Sequence, residues 1–228
     1  MTNSSKKLNR PKLIIFDLDG TLVEFSTDYL LDEAIRIIEK VEHPEVARHD
    51  LLAAFSSFDF FRFVATSDRD EFVENFWKHF DWLGFPQPAP FATTLTVLQE
   101  LKKRGFELAI ATARQVSAAE LKPLLEAVGI LPYFSAVCTR TTAEGDWKDK
   151  KPQIHEVCAK LGISPEESII VGDIPPDIAS GRDVGIGYAI ALTSGGILRE
   201  ILAASNPDFI LDDLAQLLEL EFLLSVPE

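Results

Sequence analysis

Two aspartates one residue apart, Asp17 and Asp19, follow directly on a short apolar run at residues 12–16, and two more, Asp173 and Asp177, follow a second run ending at Val171. Carboxylates brought this close repel one another unless something positive compensates. Hard oxygen donors suit Mg²⁺, which rests on one or two carboxylates plus waters and a substrate phosphate oxygen. Asp17, Asp19 and Asp173 are therefore the expected metal-site residues, and Mg²⁺ the expected cofactor. An aspartate facing a phosphoryl group can attack phosphorus and form an aspartyl phosphate, dividing one hard displacement into two easier ones. Asp17 is the expected nucleophile. Asp19, beside it, is the expected general acid and base, protonating the leaving oxygen and later deprotonating the attacking water.

The transferring phosphoryl group also needs donors around its equatorial oxygens. Thr112 offers a hydroxyl, Ala113 a backbone amide beside it, and Arg114 a side chain to reach the non-reacting end of a substrate. Lys151 is the expected phosphate clamp, because Pro152 biases its backbone toward an extended conformation at a helix start, where ammonium and helix dipole favour the same anion. Lys148 and Lys150 lie nearby. Each feature alone has a plainer reading: Asp-Gly after a strand is a turn, a strand-end threonine bonds backbone, and a helix-start lysine is solvated. Their conjunction at several strand ends is what points to chemistry.

These residues need a scaffold. The chain has 228 residues, about 1.5 times the usual domain length, which predicts one full domain with a smaller attachment. Hydrophobic residues at 46% and charged residues at 25% are ordinary globular values. Lysine and arginine number 22 against 36 aspartates and glutamates, a net charge of −14, so nucleic acid and anionic membrane are disfavoured partners. A phosphorylated metabolite would need a local cation. No apolar stretch approaches the roughly 20 residues of a membrane span, no signal peptide is expected, and two cysteines predict free thiols in a reducing compartment, the cytoplasm.

From residue 91 onward strand and helix patterns alternate: strands at 106–111, 136–139, 168–171 and 186–191, helices from Ser117, over 152–161 and near 197–203, and a last helix from Asp212. Such alternation predicts an α/β fold, a parallel sheet with helices on both faces, whose site lies at the carboxyl ends of the strands. Residues 24–90 carry helical spacing instead, with Pro44 opening one helix and Ser67 with Asp70 capping another. The expected domains are therefore a catalytic core of residues 1–23 and 91–228 and an all-helical cap of residues 24–90. Within that cap, residues 58–63 read as cap core, or as a rim of the cleft with Arg62 contacting substrate. Trp147 is a candidate for the entrance, and the four histidines have no ligand spacing.

Residues 16–23, Phe-Asp-Leu-Asp-Gly-Thr-Leu-Val, resemble the first motif of the haloacid dehalogenase-like hydrolase superfamily; Ile110-Ala111-Thr112, Lys151-Pro152 and residues 171–178 resemble its second, third and fourth. The resemblance implies a Rossmann-like core with a helical cap inserted after the first motif, as in phosphoglycolate phosphatase-like members. It further implies Asp17 as nucleophile, Asp19 as acid/base and a Mg²⁺ ligand through its carbonyl, Asp173 as a further ligand, and Asp177 as a further metal-site residue supporting the metal waters or the lysine. The expected activity is Mg²⁺-dependent hydrolysis of a small phosphate monoester. Sugar phosphomutase chemistry on the same core, or a metal- and phosphate-binding module without turnover, are the alternatives. Phosphonate hydrolysis would need a cap lysine, Lys40 or Lys78, both of which read as solvated helix residues. Dehalogenation is disfavoured by Asp19, and a dinucleotide oxidoreductase by the lack of Gly-x-Gly-x-x-Gly after the first strand.

Overall fold

A computed structural model describes residues 11–40, 47–62, 69–81, 88–140 and 148–224, the side chains of Lys40 and Asp70 excepted. Six strands form one parallel sheet: β1 (Leu13–Phe16), β2 (Glu107–Ala111), β3 (Ala136–Cys138), β4 (Ser168–Gly172), β5 (Tyr188–Leu192) and β6 (Phe209–Leu211), in the order β3-β2-β1-β4-β5-β6. That order is doubly wound, with its reversal at β1, and ligands bind at the carboxyl edge beside such a reversal. Side chains alternate across the sheet with period two. Leu13 and Ile15 belong to the apolar layer on one face, Ile14 and Phe16 to the layer on the other.

Helices cover both faces because each strand returns through one. On one face lie α4 (Thr94–Lys103) and α5 (Ala118–Ala127), through Val97, Leu98, Leu101, Leu121 and Leu125. On the other lie α6 (Lys151–Leu161), α7 (Pro175–Val184) and α8 (Arg199–Ala204), through Ile154, Val157, Ile178 and Leu202. Local signals set the boundaries. Ser117 and Glu120 form the expected capping box of α5, and Gly162 closes α6 in the left-handed conformation at φ 65°. Helix α7, whose Pro-Pro start and few apolar residues obscure its period, has no counterpart in the sequence reading. The same holds for β6, a three-residue edge strand. The expected last helix is instead a 3₁₀ turn over Leu214–Glu219 capped by Asp213, followed by the short α9 (Glu221–Leu224).

Between β1 and α4 the described residues are helical: α1 (Thr27–Lys40), α2 (Arg48–Ser56) and α3 (Arg69–His79). Pro44 and Ser67, read as helix starts, lie outside the described residues. The two chain crossings into and out of this insert run side by side, with the Glu24 N–H donating to Ala89 at 2.9 Å and the Phe91 N–H to Leu22 at 3.3 Å. At its far end the insert touches the core again, where the Leu198 N–H donates to the Ser56 carbonyl at 3.0 Å.

Cys138 and Cys158 are free and buried. Burial pushes both thiols up, Cys138 to about 11 despite the nearby Lys160 ammonium. Since the thiolate is the reactive form, a thiol reagent at about pH 8 is expected to modify the native protein very slowly and both cysteines rapidly in guanidinium. Two fast-reacting thiols without denaturant would contradict this packing.

Candidate active site

The carboxyl ends of β1, β2 and β4 bring Asp17, Thr112 and Asp173 to one cleft, all three nearly sealed from solvent. Asp17 continues the ladder beyond β1, its N–H donating to Val171 at 2.9 Å, which fixes its side chain at the sheet edge. After it the chain turns tightly, the Leu18 carbonyl accepting from Leu22 and Val23 at 2.9 and 3.1 Å. Gly20 is required in this turn: its φ is 79°, and a Cβ there would lie 2.4 Å from Asp173 Oδ2. Thr21 then points back, its hydroxyl donating to Asp173 Oδ1 at 2.7 Å.

The charges fall into two groups. Asp19 is held by Arg114 in a two-pronged ion pair, Nε to Oδ2 at 2.7 Å and Nη2 to Oδ1 at 2.6 Å. This pair balances itself. The second group is three carboxylates, Asp17, Asp173 and Asp177, with oxygens within 4.8 Å of one another, against one ammonium, Lys150. Lys150 Nζ sits 2.6 Å from Asp17 Oδ1 and 2.5 Å from Asp177 Oδ1. Burial raises Asp17, opposed by Lys150 and reinforced by Asp177 and Asp19, to about 7. Burial, with the charges of Asp17 and Asp177, also holds Asp173 well above the usual carboxylate range. Lys150 resists burial because Asp17 and Asp177 outweigh it, and its pKa is raised. Three acids against one base leave an excess that only protons or a cation can neutralise.

A divalent ion fits that excess, and all-oxygen donors suit Mg²⁺. Asp17 and Asp173 line the cavity and are the groups open to it. Asp177, expected among the ligands, shares the cluster, but both its oxygens are engaged: Oδ1 on Lys150, and Oδ2 accepting from the Ile174 N–H at 3.1 Å at the start of α7.

The expected clamp, Lys151, is corrected. Its side chain is 41% exposed and pairs with Asp149 and Asp183 at 3.7 and 3.5 Å, whereas that of Lys150 is 2% exposed in the cleft. The reason is helical phase: Ile154, Val157 and Cys158 form the buried stripe of α6, and one turn back along it lies Lys150, the N-cap residue, with Lys151 beside the stripe. That periodicity is present in the sequence and outweighs proline adjacency. Arg62 is likewise corrected. It is exposed, donates to the Asp50 carbonyl at 3.3 Å and does not line the cleft. Lys78 is also exposed and away from it, and Trp147 lies outside the described residues.

Thr112, Ala113 and Arg114 do line the cleft, with Gln115. The Thr112 hydroxyl accepts from the Arg114 N–H at 3.2 Å, which orients it. The same cleft is lined by Phe25 and the aromatic residues Phe55, Phe58, Phe60, Trp77 and Phe80 of the insert. Phe61 is buried in the insert's core, so the aromatic run at residues 58–61 serves both the core and the cleft.

Residues 11–185 match the haloacid dehalogenase-like hydrolase family. The chain is 30% identical to the phosphoglycolate phosphatase of Vibrio vulnificus, covering 91% of this chain and 95% of that protein. It is 26% identical to the pyrophosphatase PpaX of Bacillus velezensis, covering 92% and 96%. A haloacid dehalogenase-like family protein from Streptococcus pneumoniae shares the fold at a TM-score of 0.72 and 22% identity, over 92% of this chain and 98% of that one. The chain belongs to the haloacid dehalogenase-like hydrolase family and is a phosphatase of it.

Proposed function

We propose that this phosphatase hydrolyses a small phosphate monoester with Mg²⁺ bound, through a phosphoenzyme on Asp17. The observation that carries this reading is the convergence of Asp17 and Asp173 at one sheet edge with Lys150 2.6 Å from Asp17. Bound Mg²⁺, held by Asp17 and Asp173, would supply charge neutralisation for the substrate phosphate. Asp17, oriented by Lys150, attacks phosphorus; the P–O bond to the alcohol breaks and Asp19 gives the departing oxygen a proton. Water then attacks phosphorus, Asp19 takes its proton, and the acyl phosphate bond breaks to free Asp17 and inorganic phosphate. Both Asp19 oxygens lie on Arg114, so its proton exchange requires one prong of that ion pair to open while the other keeps Arg114 on Asp19. Thr112 and the Ala113 amide are positioned to donate to phosphate oxygens.

Residues 24–90 act in this reading as a cap over a core of residues 1–23 and 91–228, excluding water while the phosphoenzyme forms. No described helix is long and apolar enough to cross a membrane. Two buried free thiols favour a reducing compartment, the cytoplasm. Acid quench during turnover, followed by mass analysis of peptides, tests the intermediate: a phosphoryl adduct is expected on the peptide holding Asp17, and labelling elsewhere would overturn the assignment.

Metal binding has its own expected result. Ions that bind only the folded state stabilise it by about 2.7 kcal/mol at a hundredfold excess over Kd. Mg²⁺, compared with KCl of equal ionic strength, is therefore expected to raise the melting temperature by several degrees, roughly 5–10 °C. Asp173→Asn should abolish most of that rise. Equal melting curves with and without Mg²⁺ would sink the metal site.

A further inference from the structure

The cleft is polar on one side only. Its floor holds the reacting groups, and its opposite wall is built from Phe25, Phe55, Phe58, Phe60, Trp77 and Phe80. The rings form an ordered set. Phe25 stacks on Phe55 at 5.8 Å with planes 3° apart, and Phe60 meets Phe55 and Phe58 edge-on at 5.4 and 5.1 Å. Phe58 holds a φ of 53°, a left-handed conformation that is costly for a bulky residue. That turn, just past α2, accompanies the placement of both Phe58 and Phe60 on the cavity wall, and strain of this kind concentrates at ligand sites.

Cationic partners are the decisive shortage. Among the described residues the basic groups lining the cavity are Lys150 and Arg114, engaged with Asp17 and Asp177 and with Asp19 respectively. Lys148 sits 5.9 Å from the Phe58 ring centroid and does not line the cavity. Of the segments outside the described residues, 41–46, 63–68, 82–87, 141–147 and 225–228 contain no lysine or arginine, and 1–10 contains Lys6, Lys7 and Arg10. A second anionic group on the substrate, such as a carboxylate or another phosphate, would lie against an apolar aromatic wall after losing its water, without a compensating charge among the described residues. A hydroxyl-rich sugar would find Gln115 and Thr112 as the uncharged polar side chains among the described lining residues.

We propose, resting on the phosphatase reading, that this cleft selects phosphate monoesters whose alcohol is a flat, uncharged aromatic or heteroaromatic body, over esters that carry a second anionic group or a polyhydroxyl chain. The rings receive the body of the alcohol while the phosphate reaches Asp17. Such a substrate buries apolar area against a preformed wall, and its discrimination comes from that burial.

Phosphate release from 1-naphthylmethyl phosphate, phosphoglycolate, pyrophosphate and a hexose 6-phosphate, with the full chain at one Mg²⁺ concentration, tests this. The naphthylmethyl ester has an unactivated alcohol, so a faster rate reflects recognition rather than a better leaving group. Its kcat/KM is expected to exceed each of the others by roughly tenfold or more. Phe60→Ala should raise KM for the naphthylmethyl ester about tenfold and leave kcat within a few-fold, with Phe60→Leu intermediate. A higher kcat/KM for phosphoglycolate, pyrophosphate or the hexose phosphate would overturn the substrate class and leave the phosphatase reading standing. If neither these four nor any other phosphate ester tried releases phosphate, both readings fall.

Discussion

Asp17→Asn is expected to lower kcat for phosphate release by a factor on the order of 10⁴ or more while leaving the fold intact. The amide has nearly the same shape but no carboxylate electron pair to attack phosphorus, and the acid-quench adduct should vanish with the rate. Stability should move the other way as pH rises. Burial raises Asp17 from its ordinary 3.8 to about 7, so the folded wild type binds that proton more tightly than the unfolded chain does. The stability this provides is present below about pH 4 and is lost as pH climbs through 7. An asparagine does not titrate. In metal-free buffer the melting temperature of the variant is therefore expected to gain on the wild type between about pH 4 and 7. Retained turnover would remove the proposed mechanism; a difference in melting temperature that stays flat with pH would remove the burial argument.

The two adjacent lysines make a sharp second comparison. Lys150→Met removes the one ammonium that Asp17 and Asp177 share. Leaving a buried charge cluster without its partner costs about 3–5 kcal/mol, which for a chain of this size is a drop of roughly 6–20 °C in melting temperature. Phosphate release from the folded fraction should fall about 10³-fold, since Lys150 orients Asp17 and offers its charge to the phosphoryl oxygens. Lys151→Ala removes two half-exposed, long ion pairs, worth at most about 1 kcal/mol, and activity should stay within twofold of wild type. Calorimetry and initial rates on the two variants decide the matter. The opposite ranking, with Lys151 essential and Lys150 dispensable, would refute the placement of the lysine.

Much of the architecture was legible in the residue pattern. The apolar runs before Asp17, Thr112 and Asp173 read as strands because a doubly covered parallel sheet buries both faces of each strand. Capping residues such as Ser117, Glu120 and Gly162 marked helix ends for reasons local to the chain. Helix α7 and strand β6 escaped because their apolar content is low or their span too short for a period to emerge. Lys150 escaped for another reason. Its placement depends on which side of α6 faces the sheet, a phase encoded by the stripe of Ile154, Val157 and Cys158, whereas Pro152 points only to Lys151.

Residue types and local spacing alone determined that carboxylates, a threonine and a lysine would stand at successive strand ends, because strand and helix periods are properties of short windows. Only the tertiary structure decided how their charges are apportioned. Arg114 closes on Asp19, ninety-five positions away, Lys150 bridges Asp17 and Asp177, and Thr21 reaches Asp173, all pairings between groups that are distant along the chain. The aromatic wall belongs to the same category. Phe58, Phe60 and Trp77 have the composition of a helical core, and it is the docking of the insert on the core, at Ser56 and Leu198, that brings them to the cleft lined by Asp17, Asp19 and Asp173.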